Sequence, residues 1–285
     1  MTAGPTEAHP GTVPALRDPG PGLIVLDPDQ ARLFHLLDGL FVEVADRFGA
    51  APVVGPPLLP AADLARLDYF RNFPHLGVLA ARLTPEATAE AAAGADPTAL
   101  TAVPTGYLLP SATCYGLLTA MTGVRLDAPV RLTATGRCFR NEERFEGLRR
   151  LWGFHMREIL FVGDQDGAAR HLDVSREMIL DLANRLGVPV TVEAANDPFY
   201  DRTGSRARLA MLDPVKHEFV TVDGTAIASV NRHRNFFGER LDIRIGADNA
   251  YSSCTAFGVE RWVHAMVCAH GSVRAALAVA ERTSG

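Results

Sequence analysis

The stretch Arg137–Glu158, RCFRNEERFEGLRRLWGFHMRE, constrains what this chain can fold into more than any other. Two extended runs, Arg137–Glu142 and Leu151–Val162, flank a turn crowded with Arg and Glu. Side chains alternate faces along a strand, so Cys138, Arg140 and Glu142 share one face. On the returning run Phe154, Met156, Glu158 and Leu160 do the same. The paired surface then presents a guanidinium, carboxylates and an aromatic ring together. Such groups grip a nucleotide: arginine on phosphate, the ring on adenine, a carboxylate on the exocyclic amine or a metal. The same spacing also describes a surface hairpin with solvated charges, and spacing alone leaves both readings open.

A chain of 285 residues, 47% hydrophobic and 21% charged, suits a soluble globule with a sizeable core, as one large domain or one domain with a tail. The net charge of −5 disfavours a nucleic-acid partner, since such partners select basic surfaces. Almost all of the positive charge is arginine; Lys216 is the only lysine. Cys114, Cys138, Cys254 and Cys268 show neither CxxC spacing nor a short disulfide framework, which implies a reducing, cytoplasmic compartment. No apolar run approaches the ~20 residues of a membrane span, and the N-terminus lacks a signal-peptide pattern. No membrane partner is expected.

Residues 1–22, rich in Pro, Gly, Ala and Thr, read as a disordered tail, and residues 23–285 as a single domain. Ile24–Leu26 is a candidate strand. Apolar residues at helical spacing predict a helix over Asp29–Phe48, stopped by Gly49, then a short strand ended by prolines at Ala51–Pro57. Further helices are expected over Leu64–Phe73, Tyr115–Met121, Asp164–Leu186 and Val259–Ala269, with a last helical piece beyond. Strands are expected at Gly77–Leu83, Val130–Thr135, Val190–Glu193 and Phe237–Ile245. His217–Val222 and Thr225–Val230 pair across Asp223-Gly224, a strong hairpin turn.

Phe139-Arg140-Asn141-Glu142, with the return Gly147–Phe154 running on to Glu158, resembles motif 2 of the class II aminoacyl-tRNA synthetases, and the seryl enzymes most closely. The first helix and its proline-ended strand resemble motif 1, a dimerisation element of that family. Gly258-Val259-Glu260-Arg261 resembles motif 3, whose arginine contacts ATP phosphates at a helix N-terminus. The resemblance implies an α+β fold, an antiparallel catalytic sheet flanked by helices, in a homodimer that uses ATP and Mg2+. Arg140 and Arg261 carry over as catalytic phosphate clamps. Glu142, Arg150, Leu151, Phe154, Glu218, Ala226 and Ser229 carry over beside them as the ATP site. Ala226–Ser229 stands where the seryl enzymes have Glu-Ile-Ser-Ser, so an acid is lost at Ala226, and Glu218 is a substitute carboxylate.

Tyr107–Cys114 resembles the seryl enzymes' strand ending in Pro-Thr-Ala-Glu, with Cys114 near the expected glutamate. Taken singly, Cys114, Glu158 and Cys254 read as small core residues and a paired glutamate. Jointly they fall at or beside the serine-contacting positions of that family. Three such ligands and one open position describe a catalytic zinc site, its open position free for an amine. Cys/Glu/Cys zinc binding occurs in atypical methanogen seryl-tRNA synthetases and in truncated homologues, the amino acid:[carrier protein] ligases. Those ligases lack tRNA-binding domains. The resemblance implies activation of a small amino acid, glycine or alanine, and its transfer to the phosphopantetheine thiol of a carrier protein. Glu158 and Met156 would contact the amino acid. Nothing here resembles the N-terminal arm that holds tRNA, so tRNA is not the expected acceptor. The rival readings are an aminoacyl-tRNA synthetase and a non-catalytic paralogue. Cys138 and Cys268 are expected as buried thiols, and Arg202, Arg206, Arg208 and Lys216 as a docking stretch for the carrier protein.

Overall fold

The first helix, Pro28–Arg47, begins in a capping box in which Asp27 and Gln30 satisfy each other's backbone N–H groups, with a proline in its first turn. Its apolar stripe, from Leu33 through Phe41 to Ala45, is buried. The chain is described by a computed structural model that covers residues 16–195, 200–201 and 215–284. Its strands in chain order are β1 (Ala51–Pro52), β2 (Leu59–Pro60), β3 (Val78–Leu83), β4 (Ala102–Leu109), β5 (Arg125–Leu126), β6 (Val130–Phe139), β7 (Gly153–Gly163), β8 (Val190–Ala195), β9 (Lys216–Thr221), β10 (Ala226–Arg234), β11 (Arg244–Ile245), β12 (Asp248–Asn249) and β13 (Tyr251–Gly258).

Seven of them form one sheet in the order β1-β6-β7-β13-β10-β9-β8. Only the β1–β6 pair is parallel. This is the expected α+β architecture: an antiparallel-dominated sheet flanked by helices. Two three-stranded sheets, β12-β11-β5 and β2-β4-β3, complete the described part.

The sheet separates two cores. One face packs against Pro28–Arg47, Gln165–Arg185, Val259–His270 and Val273–Ser284, around the fully buried Trp262 and a stacked Phe41–Phe257 pair with centroids 4.4 Å apart. The other face packs against shorter pieces: Ala61–Arg66, Thr113–Ala120 and Phe236–Leu241. Neighbours on β7 divide between the two, with Ile159 in the first core and Leu160 in the second. Arg157 reaches the first face and clamps Asp38 of the first helix through bonds of 2.6 and 2.8 Å. Burial resists the Asp38 charge, but the two bonds and the charge of Arg157 hold its carboxyl below the ordinary range. No single helix among the described residues is long and apolar enough to cross a membrane.

The structure differs from the sequence expectations in four places. Ile24–Leu26 is not a strand; the backbone makes only an isolated bridge between Gly20 and Leu23. The helix expected over Leu64–Phe73 is two pieces, Ala61–Arg66 and Tyr69–Asn72, because Asp68 takes a left-handed conformation between them. Phe237–Ile245 is not a strand but the helix Phe236–Leu241 followed by β11. The last residues of the expected tail are tied down: Gly22 accepts the Trp152 N–H at 3.0 Å, and Asp18 accepts that of Val25. Gly22, at φ +72°, lies so close to the Phe145 ring that a Cβ there would stand 2.3 Å from it.

Candidate active site

The second face of the sheet opens into a cavity of about 470 Å³. Arg140, Phe154, Met156, Glu158, Glu218, Ala226, Ser229 and Arg261 line it, together with Cys114 and Cys254. A smaller adjoining cavity takes in Glu142, Arg150 and Leu151, and shares Phe154 and Arg261 with the first. The candidate ATP, amino-acid and metal residues named from the sequence therefore line these two adjoining cavities. The register explains much of this. Pairing of β6 with β7 sets Cys138 opposite Phe154, and pairing of β13 with β7 sets Cys254 opposite Leu160 and Ala256 opposite Glu158.

One end of the cavity is cationic. Arg140 follows directly on β6; its guanidinium donates to the Ser111 carbonyl at 3.2 and 3.3 Å and lies 5.0 Å from the Phe154 ring centroid. Arg261, in the first turn of Val259–His270, donates to the carbonyls of Arg149 and Ala226, both at 2.9 Å. Burial, joined by the charge of Arg140, brings Arg261 down to about 10, so it stays charged at neutral pH. Among the described residues neither arginine makes an ion pair. Two guanidiniums in one cavity with carbonyl partners alone make a site for an anion. Glu142 and Arg150 pair with each other instead. Glu218 pairs with Lys216 at 2.9 Å. Ser229 accepts from the Asn231 amide, and Leu151 is buried.

The other end is acidic and closed. Glu158 is 1% exposed. Its Oε1 accepts the backbone N–H groups of Thr113 and Cys114, at 2.9 and 3.1 Å, which begin the helix Thr113–Ala120. That helix approaches β6 closely enough that a Cβ on Gly136 would meet Thr113 Oγ1 at 2.8 Å. Glu158 Oε2 is buried with no hydrogen-bond partner. The thiols of Cys114 and Cys254 interact with the same carboxylate and with each other. Burial holds the Glu158 carboxyl above its ordinary value, against the bonds it accepts. Bonding to Cys254, burial and the Glu158 charge push the Cys114 thiol well above its own. At Cys254 the bond to Cys114 acts downward, and burial with the Glu158 charge overrides it. Three acids whose burial opposes their ionisation, and an orphaned carboxylate oxygen, fit a divalent cation that would let all three ionise.

Sequence reasoning missed two polar residues in this centre. Asn231 lies opposite Cys254 in the β10–β13 register and donates to its sulfur at 3.4 Å. His233, two residues on, brings Nε2 to 3.5 Å from the same sulfur. The alternation of Ser229, Asn231 and His233 was visible, but only the register shows that this face meets Cys254. Cys138 is buried as expected, with its thiol pushed up to about 12 by burial. Cys268 is not: it is exposed, 3.5 Å from His264, whose ring bonds Asp223 at 2.7 Å. It faces outward from Val259–His270, whose buried face is carried by Val259, Trp262, Val263 and Met266. Arg202, Arg206 and Arg208 lie outside the described residues, whereas Lys216 lines the main cavity.

The family model described as the tRNA synthetase class II core domain (G, H, P, S and T) matches residues 107–270. This chain belongs to that family. Among curated relatives, amino acid–[acyl-carrier-protein] ligase 1 of Bradyrhizobium diazoefficiens is 28% identical, over 92% of this chain and 88% of the relative. Ligase 2 of the same organism is 32% identical, over 76% of this chain and 69% of the relative. The seryl-tRNA synthetase of M. kandleri, solved in complex with A. aeolicus tRNASec, superposes with a TM-score of 0.77 at 22% identity. That superposition covers 90% of this chain and 55% of the synthetase, and it establishes the class II catalytic fold. The cavity thus lies on the catalytic sheet of a class II synthetase core.

Proposed function

We propose that this chain activates a small amino acid, glycine or alanine, with ATP and transfers it to the phosphopantetheine thiol of a carrier protein. The observation that carries the reading is the two-ended cavity. Two arginines held by backbone carbonyls line one part and the Cys114–Glu158–Cys254 acid cluster another. The names of the two Bradyrhizobium relatives support the choice of acceptor.

In the first half-reaction a carboxylate oxygen of the amino acid attacks the α-phosphorus, the bond to the β-phosphate oxygen breaks, and pyrophosphate leaves. Arg140 and Arg261 neutralise the charge that spreads over the phosphate oxygens, and because carbonyls already hold them they need little reorganisation. Phe154 offers its ring to adenine, and Glu142 with Arg150 closes the adjoining cavity. Mg2+ accompanies the phosphates. Cys114, Glu158 and Cys254 would hold zinc, which supplies a Lewis-acid position for the substrate amine. Met156, on the strand face of Phe154 and Glu158, would form a wall against larger side chains. In the second half-reaction the carrier thiol sulfur attacks the activated carbonyl, AMP leaves, and the thiol proton passes to solvent. No protein nucleophile takes part. A cytoplasmic homodimer is part of the same reading.

Amino-acid-dependent ATP–pyrophosphate exchange, run across all amino acids, tests the first half. Loading of a phosphopantetheinylated carrier protein, run beside charging of total tRNA, tests the second. Exchange with glycine or alanine and loading of the carrier alone are expected. No exchange with any amino acid would refute the enzymatic reading, and charging of tRNA alone would replace the acceptor.

A further inference from the structure

Among the described residues a further donor lies beside the two thiols, in a grouping that does not take in the Glu158 carboxylate. The sulfurs of Cys114 and Cys254 and a ring nitrogen of His233 all lie within 4.8 Å of one another. His233 Nε2 stands 3.5 Å from Cys254 Sγ. Around a tetrahedral zinc, bonds of about 2.3 Å to sulfur and about 2.0–2.1 Å to nitrogen place neighbouring ligand atoms roughly 3.5–3.8 Å apart. The sulfur–nitrogen separation already has that value.

The ring is also fixed as a ligand's would be. Nδ1 lies 3.0 Å from the hydroxyl of the buried Ser252, which leaves Nε2 directed at the sulfur. The Phe237 ring meets the imidazole edge to face, with centroids 4.9 Å apart. An imidazole that binds a metal almost always engages its second nitrogen in this manner, which sets tautomer and orientation. The Asn231 amide bonds the same sulfur and adds a further constraint on the group.

We propose that His233 is the fourth zinc ligand of the substrate-free protein and that the amine of the amino acid takes its place. This rests on the reading that Cys114, Glu158 and Cys254 hold zinc. The substrate ammonium gives up one proton to solvent as its nitrogen binds, so one neutral nitrogen donor replaces another and the charge of the site is unchanged. A closed tetrahedron excludes water and stray ligands until an amine of the right size arrives.

Zinc X-ray absorption on the wild-type protein, first without amino acid and then with saturating glycine or alanine, reads the coordination directly. The substrate-free spectrum should show two sulfurs and the outer-shell scattering of one imidazole. Amino acid should remove the imidazole signal and leave the sulfurs. His233→Ala should lack that signal in both states and hold zinc about 10–100-fold more weakly. Sulfur ligands without imidazole in the substrate-free wild type would overturn the proposal while leaving the zinc reading intact. So would an imidazole signal that persists with both amino acids, or in His233→Ala. A spectrum without sulfur, or a protein without zinc, would instead remove the Cys/Glu/Cys assignment and this inference with it.

Discussion

Arg140 is placed by the backbone before any ligand arrives. It donates twice to the Ser111 carbonyl and lies over Phe154, so the charge is aimed into the cavity rather than free to sweep it. A clamp of this kind acts most strongly where charge develops in the transition state. Arg140→Ala is therefore expected to lower amino-acid-dependent pyrophosphate exchange by about 10²-fold or more, with the melting temperature little changed. Exchange at the wild-type rate in that variant would remove Arg140 from the mechanism. At this scale the sequence was most informative where residue type is tied to a motif: Arg140, Glu142, Phe154 and Arg261 all reach the cavity or its annex. His233 escaped because an isolated histidine at a strand end carries no signature. Its position depends on the register of β10 against β13, a long-range pairing that no local spacing encodes.

Elements with a clean period were the legible ones. The helices Pro28–Arg47 and Gln165–Arg185 bury one stripe each, and each begins at an Asp cap, Asp27 and Asp164. Phe236–Leu241 was not legible, because Leu241, Ile243 and Ile245 alternate with polar residues as a strand would, and Phe237 shares their parity. What decides in favour of helix is tertiary. Phe237 and Leu241 lie one helical turn apart and both enter the second core. Gly238 between them sits against the Ala250 backbone, where a Cβ would stand 2.2 Å from the carbonyl oxygen. The helix and the Ala250 backbone could not approach so closely with a side chain present. Gly238→Ala should cost about 1–3 kcal/mol, the usual penalty of forcing atoms into a filled core, measured by urea denaturation. Because Phe237 packs on His233, the same variant should also loosen the placement of that ring beside Cys254. A Gly238→Ala protein as stable as wild type would show that the helix and the Ala250 backbone part without cost.

The molecule as a whole carries a pH dependence in the core opposite the cavity. His171, 2% exposed, lies between Phe48 and Phe161 with ring centroids 4.8 and 6.1 Å away. Burial, with a smaller contribution from the nearby Arg131 charge, lowers it from an ordinary 6.5 to about 4. Above the ordinary value the ring is neutral whether the chain is folded or not, and its titration contributes nothing to stability. As the pH falls from 6.5 toward about 4, the unfolded chain takes up a proton that the folded ring refuses. Stability therefore declines through that window, and below it both forms are protonated and the loss is complete. At about 1.4 kcal/mol per pH unit the full loss is roughly 3 kcal/mol. His171→Phe retains the aromatic packing without the titration. Urea denaturation of both proteins at a series of pH values separates this ring from the carboxyls that titrate nearby, since those are common to both. Wild type should lose roughly 3 kcal/mol more than His171→Phe between about pH 7 and about pH 4. Parallel curves would place the proton uptake elsewhere in the fold.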